Sequence, residues 1–112
     1  MVDQAEIRAV CDQIVRQFRP HKVILFGSYG SGEPTADSDI DLLVIMPFEG
    51  SPIRKAVDVS LDLRHRFPLD LLVRTPEQVA QRVAMNDFFM RDIMEHGQVL
   101  YDANCLGVGS ES

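Results

Sequence analysis

Apolar and polar positions alternate along this chain in two rhythms, one with the period of a helix and one with the period of a strand. Over residues 3–18, apolar side chains recur at i, i+3, i+4 and i+7, which predicts an amphipathic helix with one buried face. Short runs rich in β-branched and aromatic residues follow, and each predicts a strand. The predicted strands are Lys22–Phe26, Ile40–Met46, Leu69–Val73 and a short edge strand at Val99–Tyr101.

A serine followed by a proline marks the start of a second predicted helix. Ser51 and Pro52 suit the N-cap and the first helical position, and Pro68 lies beyond the helix end. We expect this helix to run to about Arg66. The side chains expected to be buried along it are Ile53, Val57 and Leu61.

Capping signals also place two shorter helices near the C-terminal end. The run Thr75–Gln78 (TPEQ) is a capping box with proline at the first helical position, and it predicts a helix over residues 76–84. A further helix is predicted over residues 87–96, with Gly97 just past its end.

The order of these elements predicts the fold class. Strands separated by helices indicate an α/β (α+β) arrangement, in which helices pack on one small sheet. We expect the first two strands to be antiparallel because only a loop joins them. The second and third should be parallel because a helix connects them, so the sheet is mixed. Residues 1–102 are expected to form one domain and residues 103–112 a frayed, flexible tail rich in Gly and Ser.

Composition narrows the classes of function. The 112 residues are 46% apolar, which suits one packed domain, and no apolar run approaches the length of a membrane span. Asp3 and Glu6 stand where a signal peptide would carry basic residues, so we expect a cytoplasmic protein. The net charge of −6 argues against a protein whose main task is binding duplex nucleic acid.

The first candidate for chemistry is the turn at Gly27 and Ser28. A turn that follows a strand points backbone N–H groups outward, and glycine lets a phosphate approach them closely. The same two residues also fit a plain glycine turn with a serine helix cap. The pair alone does not decide between these readings.

The second candidate is a set of carboxylates. Asp39 and Asp41 are two residues apart at a strand start, so they share one face of the sheet while Ile40 points to the other. Such a pair either binds a hard divalent cation or is simply solvated. Asp70 interrupts an otherwise apolar strand, where we expect a buried carboxylate that completes a three-carboxylate cluster. The alternative for Asp70 is an acid that merely opens its strand.

Together these residues resemble a known family. Gly27-Ser28, ten intervening residues and Asp39-Ile40-Asp41 resemble the signature of the DNA polymerase β-type nucleotidyltransferase superfamily. The likeness to its small prokaryotic branch, the minimal nucleotidyltransferase (MNT) domains, extends to about Asp102. It implies a polymerase β-like palm fold in which Gly27 and Ser28 hold the triphosphate of ATP. It also implies that Asp39, Asp41 and Asp70 bind two Mg²⁺ ions, with Asp70 acting on the incoming hydroxyl.

The resemblance implies a partner as well. MNT proteins are often paired with a HEPN-type helical toxin, and some act as antitoxins by moving AMP from ATP to a tyrosine of that toxin. One departure is Ser31, which stands where many members carry a basic loop residue. Arg74 is a candidate substitute, or an ordinary solvated arginine.

Two further readings stay open beside the active enzyme. One is an antitoxin that neutralises its partner by binding alone. The other is a transferase for a small hydroxylated molecule such as an aminoglycoside, which the short chain disfavours. The apolar run Phe88–Met94 is expected either to join the core or to form a surface for a partner or a homodimer.

Overall fold

The computed structural model describes residues 4–27, 29, 39–64 and 67–103. In this part of the chain, four helices and four strands form. Their bounds, in chain order, are α1 Gln4–Phe18, β1 Lys22–Phe26, β2 Ile40–Ile45, α2 Pro52–Asp62, β3 Leu69–Arg74, α3 Pro76–Ala84, α4 Phe88–His96 and β4 Gln98–Asp102. These bounds confirm the predicted elements to within one or two residues, except at the end of α2.

The strands form one mixed sheet in the order β3-β2-β1-β4. β1 lies antiparallel to both β2 and β4, while β2 and β3 are parallel and connected through α2. The predicted α+β class, the mixed sheet and both strand directions are therefore confirmed. The order leaves β3 and β4 as the two edge strands of the described sheet.

The alternation of side chains along the central strands builds a core on each face of the sheet. On the first face, Leu42 and Val44 of β2 pack with the buried stripe of α1 and with Val59 of α2. On the second face, Leu43 of β2 packs with residues of α3 and α4. The buried stripe of α1 is Ile7, Val10, Cys11 and Ile14, as the helical period predicts. Each such aliphatic side chain contributes about 1.5–3 kcal/mol by leaving water.

The buried face of α2 differs from the expectation. Ile53, Val57 and Leu61 are 75%, 52% and 78% exposed, so the prediction that they are buried was wrong. The helix instead buries Val59 and partly buries Ala56. Both stripes are apolar, and the sequence pattern does not choose between them. The choice is made by the crossover from β2 to β3, which fixes the rotation of α2 over the sheet.

The end of α2 was also predicted wrongly. The helix stops at Asp62, because Leu63 takes an extended conformation and turns into the core. The side-chain amide of Gln13 then donates to the Arg64 carbonyl and accepts from the Arg64 N–H, both at 2.9 Å. This long-range pairing satisfies the Arg64 backbone, so the helix does not need to continue.

The caps of the last helices form as predicted. Thr75 and Gln78 make the reciprocal bonds of a capping box, with Pro76 at the first helical position. Gly97 follows α4 as expected, but its φ of −69° is open to any residue. Glycine is needed there for space, because a Cβ atom would press against Ile24 and the Ile93 carbonyl.

In the portion of the chain that the structure describes, no helix is long and apolar enough to cross a membrane. Of the predicted tail, residues 103–112, the structure describes only Ala103, whose N–H donates to the His21 carbonyl at 2.9 Å. The division into a domain and a tail therefore stays a prediction.

Candidate functional site

Two acidic residues meet where β2 and β3 begin. Asp41 is the second residue of β2, and its register partner on β3 is Asp70. On its other side, Asp41 lies opposite Phe26, the last residue of β1. Neighbouring strands in a sheet are about 4.8 Å apart. The expectation that the strand of Asp70 adjoins that of Asp41 is confirmed.

The two carboxyl groups interact directly. Burial, the charges of Asp70 and Asp39, and a hydrogen bond with the Asp70 carboxyl together raise the pKa of Asp41, and burial is the largest of these causes. Like charges placed opposite each other on one sheet face destabilise the fold unless a proton or a cation lies between them. This pair therefore favours binding of positive charge.

Asp41 lies on the face of the sheet that the alternation predicts for the acidic pair. Asp41 shares its face with Leu43, toward α3 and α4, while Ile40 and Leu42 are fully buried on the opposite face. Asp39 is exposed just before β2, and its charge reaches Asp41. Within the described ranges, however, no three His, Cys, Asp or Glu side chains already form a metal-ligand group. The three-carboxylate metal set stays a prediction.

Asp70 itself is exposed, so the expectation of a carboxylate buried in an interior strand was wrong. The apolar run around it predicted an interior strand, but β3 is an edge strand in which only Val73 is buried. Edge position explains the difference, because the face of β3 that carries Asp70 is not fully covered. An exposed carboxylate remains accessible to a ligand.

Gly27 lies against Asp41. Its φ is +72°, a left-handed conformation that L side chains rarely adopt. A Cβ atom built on Gly27 would collide with the Asp41 Oδ2 atom. Glycine is therefore required here both for the turn and for the close approach of the backbone to the carboxylate.

Two residues of the predicted loop, Ser28 and Ser31, lie outside the described residues. The triphosphate role of Ser28 thus remains a prediction. Arg74, the candidate substitute for a basic loop residue, lies at the opposite end of the sheet. It pairs with Ile45, about 13 Å along β3 from Asp70, so it cannot reach the carboxylates by a short side-chain movement.

The structure adds one wall that the sequence did not indicate. A cavity of about 490 Å³ opens beside the acidic pair, and α4 forms one side of it through Phe89, Asp92 and Ile93. The rings of Phe89 and Phe26 meet edge to face, with centroids 5.7 Å apart. The spacing of Phe89, Asp92 and Ile93 predicts that they share a helix face, but not which strand that face meets.

The charged group on this wall is Asp92, whose Oδ1 lies 3.0 Å from Nδ1 of His96. Both side chains are largely exposed. In the same helix, Met90 and Ile93 are buried, whereas Phe88 is 84% and Phe89 55% exposed. The apolar run Phe88–Met94 therefore lies partly in the core and partly on the surface, so each of the two interpretations holds for part of it.

The donors at this site suit a hard divalent cation. Asp41 and Asp70 present carboxylate oxygens beside each other, and the repulsion between them is relieved when a cation binds. The cavity and the glycine leave room for a ligand whose phosphates approach the backbone. The arrangement fits chemistry on a phosphate ester held next to two carboxylates.

Comparison with known proteins agrees with this geometry. A family model described as "Polymerase beta, Nucleotidyltransferase" matches residues 10–105. The chain is 33% identical over 85 residues to a protein of Methanocaldococcus jannaschii named "Putative protein adenylyltransferase", and the match covers 74% of this chain and 80% of that protein.

A solved structure also has a similar fold. The crystal structure of "a putative nucleotidyltransferase from Sulfolobus solfataricus" matches with a TM-score of 0.63 and 16% identity. The match covers 89% of this chain and 80% of that chain. At this identity the likeness concerns the fold alone, and it agrees with helices packed on a mixed four-stranded sheet.

Proposed function

This chain belongs to the polymerase β nucleotidyltransferase family, and from that premise we propose that it transfers AMP from ATP, in the presence of Mg²⁺, to a hydroxyl of a protein partner. The observation that carries the proposal is the pairing of Asp41 with Asp70 against Gly27, at the opening of a cavity. A cytoplasmic location is part of the same proposal.

The proposed reaction is a displacement at phosphorus. The acceptor hydroxyl oxygen forms a bond to the α-phosphorus of ATP, the bond from that phosphorus to the β-phosphate oxygen breaks, and pyrophosphate leaves. The hydroxyl proton passes to the Asp70 carboxylate. Asp70 suits this role because it is exposed at the cavity, where its carboxylate can accept a proton from an adjacent hydroxyl.

Asp39, Asp41 and Asp70 are the residues that would hold Mg²⁺, two ions in all. Bound there, Mg²⁺ supplies positive charge that neutralises the triphosphate and the developing charge on its oxygens. The protein contributes the fixed positions: β2 and β3 hold Asp41 and Asp70 in register, and Gly27 keeps the backbone close to them. Gly27 and Ser28 would hold the triphosphate.

The M. jannaschii relative, through its name, supports AMP as the group transferred and a protein as the acceptor. The MNT-like motif supports a HEPN-type helical toxin as that protein, which this chain would neutralise as an antitoxin. The exposed side chains of Phe89 and Asp92 on α4 line one side of the cavity, where a partner can approach. A partner surface would then complete the acceptor site.

The direct test incubates the protein with α-labelled ATP, Mg²⁺ and a HEPN-type protein encoded next to it. We expect label on the partner and none when Asp41→Asn or Asp70→Asn replaces the wild type. Asp58→Asn, which removes an exposed acid from α2, is the matched control and should keep full transfer. Equal labelling by wild type and Asp70→Asn would contradict the proposed role of the carboxylates.

A second candidate function is neutralisation by binding alone. The observation that favours it is the exposure of Phe88 and Phe89, two aromatic side chains that a partner would cover. In that case Phe88→Ser should abolish neutralisation while Asp41→Asn leaves it intact and no label is transferred. Self-association through the same residues would instead appear as a change in oligomeric state in Phe88→Ser.

A further inference from the structure

Neighbouring cavities lie along the edge of β3, which no other strand of the described sheet covers. The cavity at the acidic pair is lined by Leu71 and Leu72, and a second cavity of about 280 Å³ shares both residues. Consecutive strand residues point to opposite faces of a sheet. Both cavities therefore reach the outer edge of β3, one on the side of α4 and the other on the side of α2, and together they are called the open-edge trough.

The middle of this open-edge trough is apolar. Ile53 and Val57 of α2 form its outer wall, and they are the residues expected in the core but found 75% and 52% exposed. Ala56 and Leu71 line the same stretch. This exposed apolar stripe of α2 thus forms a surface on which apolar side chains of a ligand can pack. Leu61, equally exposed at 78%, lies outside the trough.

The far end of the trough is basic. Arg74 lines both the apolar cavity and an adjoining one of about 330 Å³ that also contains Arg82, Gln78 and Gln81. No acid is among the described residues that line this end. Burial, and next the charge of Arg82, lowers the pKa of Arg74. Two guanidinium groups thus line one pocket in a chain of net charge −6. Arg82 also pairs with Asp87 at 3.3 Å, on the surface. The pocket therefore favours an anionic group on whatever docks there.

The backbone of β3 suits an extended ligand. The Ile40 N–H donates to the Pro68 carbonyl and the Met46 N–H to the Arg74 carbonyl, so alternate residues such as Leu71 direct their backbone groups away from β2. Arg74 caps the outward carbonyl of Val73 at 2.8 Å. An extended peptide can add to such an edge and place its side chains in the trough.

Resting on the proposed function, we infer that the open-edge trough binds an extended segment of the protein acceptor, whose acidic side chain is held by Arg74 and Arg82 while its hydroxyl lies at Asp41 and Asp70. From Asp70 to Arg74 the strand advances about 13 Å, which is about four residues of extended chain. The acceptor segment therefore carries an acidic residue about four positions from the modified hydroxyl, with aliphatic residues between.

The test measures peptide binding in EDTA and without nucleotide, so that no AMP transfer can occur. The probes are acetylated peptides with the sequence Ser-Tyr-Val-Thr-Ile-Glu-Ser and its reverse, which cover both strand directions. Matched peptides carry Gln or Lys in place of Glu. NMR spectra of ¹⁵N-labelled protein report the amide of Leu71 and the Nε–H groups of Arg74 and Arg82. We expect these signals to shift with one acidic peptide, and the Gln peptide to bind about fivefold more weakly.

Matched variants distinguish peptide binding in the trough from a general effect of surface charge or of exposed apolar area. The side chains of Arg82 and Arg91 are 57% and 43% exposed and both form surface ion pairs, but only Arg82 lines the trough. We expect Arg82→Gln to weaken binding about fivefold and Arg91→Gln to leave it unchanged. Ile53→Ser should weaken binding, whereas Leu61→Ser on the same helix should not. None of the four replaced side chains belongs to the buried core, and circular dichroism checks that each variant folds.

Several outcomes would overturn the inference. The inference is contradicted if neither peptide shifts the Leu71 signal. It is also contradicted if Arg82→Gln and Arg91→Gln lose the same amount of peptide affinity. Inorganic phosphate shifting the arginine signals while Glu and Gln peptides bind alike would contradict it too, because the basic end would then be a phosphate site. Labelling of a protein partner without peptide binding would sink this inference alone. Peptide binding without any transfer would sink the proposed function alone.

Discussion

At the scale of single residues, the site depends on one glycine and one carboxylate in contact. Gly27 adopts a conformation that needs glycine, and its backbone lies where a Cβ atom would strike Asp41. The sequence indicated each residue separately. That they touch follows from the antiparallel pairing of β1 with β2, which brings the end of one strand beside the start of the other.

Replacing Gly27 by alanine should disrupt the site as well as the turn. A left-handed alanine costs about 1–2 kcal/mol, and the added Cβ also displaces the Asp41 carboxylate. We expect Gly27→Ala to lower the melting temperature and to abolish AMP transfer. Gly50→Ala is the matched control, because Gly50 has φ +91° but nothing within 4 Å of its Cβ position. It should lose stability yet keep transfer. Equal transfer by both variants would show that the contact with Asp41 is unimportant.

Because the neighbouring carboxylates of the site repel one another, removing one of them should stabilise the folded protein. Ionised Asp41 is disfavoured by burial and by the charges of Asp70 and Asp39, so Asp41→Asn should raise the melting temperature in EDTA by about 2 °C. Adding Mg²⁺ should stabilise the wild type and leave the variant unchanged. Asp58→Asn removes one negative charge elsewhere. It should neither raise the melting temperature in EDTA nor abolish the stabilisation by Mg²⁺. A lower melting temperature for Asp41→Asn in EDTA would contradict the repulsion.

At the scale of elements, two helices determine what surrounds the site. α4 places Phe89 and Asp92 on the cavity wall, and α2 turns an apolar stripe toward the trough. In α2 both Ile53 and Val59 belong to apolar stripes of similar helical spacing. The periodicity predicted a helix but not its rotation, because rotation depends on the strands against which the helix packs.

The N-cap of α4 should make stability depend on pH. The Asp87 carboxylate accepts from the N–H groups of Met90 and Phe89, and the bond from Met90 is the largest cause of its lowered pKa. A lowered folded-state pKa means that Asp87 stabilises the protein above its unfolded pKa of about 3.9 and loses that contribution as the pH falls through the folded value.

Asp87→Ala should therefore lower the melting temperature at pH 7, and the difference from wild type should shrink in acid. Thermal unfolding followed by circular dichroism between pH 7 and about pH 3 measures this. Asp92→Ala is the control, since Asp92 is exposed on the same helix but caps nothing in the described contacts. A deficit for Asp87→Ala that stays constant with pH would rule out the carboxylate as the source.

At the scale of the whole molecule, α1 closes the first face of the sheet and joins it to the end of α2. Cys11 is 1% exposed in this core, and Gln13 of the same helix holds the Arg64 backbone. Burial, the largest cause, raises the pKa of the Cys11 thiol from 9.0 to about 11. Cys11 also lines a cavity of about 460 Å³ between α1 and β4, so a reagent reaches the thiol when α1 moves away from β4 or when the whole protein unfolds.

In a Cys105→Ser background, Cys11 should react with iodoacetamide at pH 8 at least about a hundredfold more slowly than in urea. The protonated thiol stabilises the fold fully below pH 9, and this contribution is lost as the pH rises to about 11. The melting temperature should therefore fall more steeply above pH 9 in this background than in Cys11→Ala. Rapid labelling at pH 8 without denaturant would show that α1 opens independently.

The sequence alone determined the elements, the α+β class and the acids proposed for the site, because periodicity, caps and the Gly27–Asp41 spacing are local properties of the chain. Only the tertiary structure decided that Asp70 is exposed on an edge strand, that α4 borders the site and that Ile53 faces outward. These depend on strand order and on the rotation of helices over the sheet. Both are set by contacts between segments far apart in sequence, which no local pattern encodes.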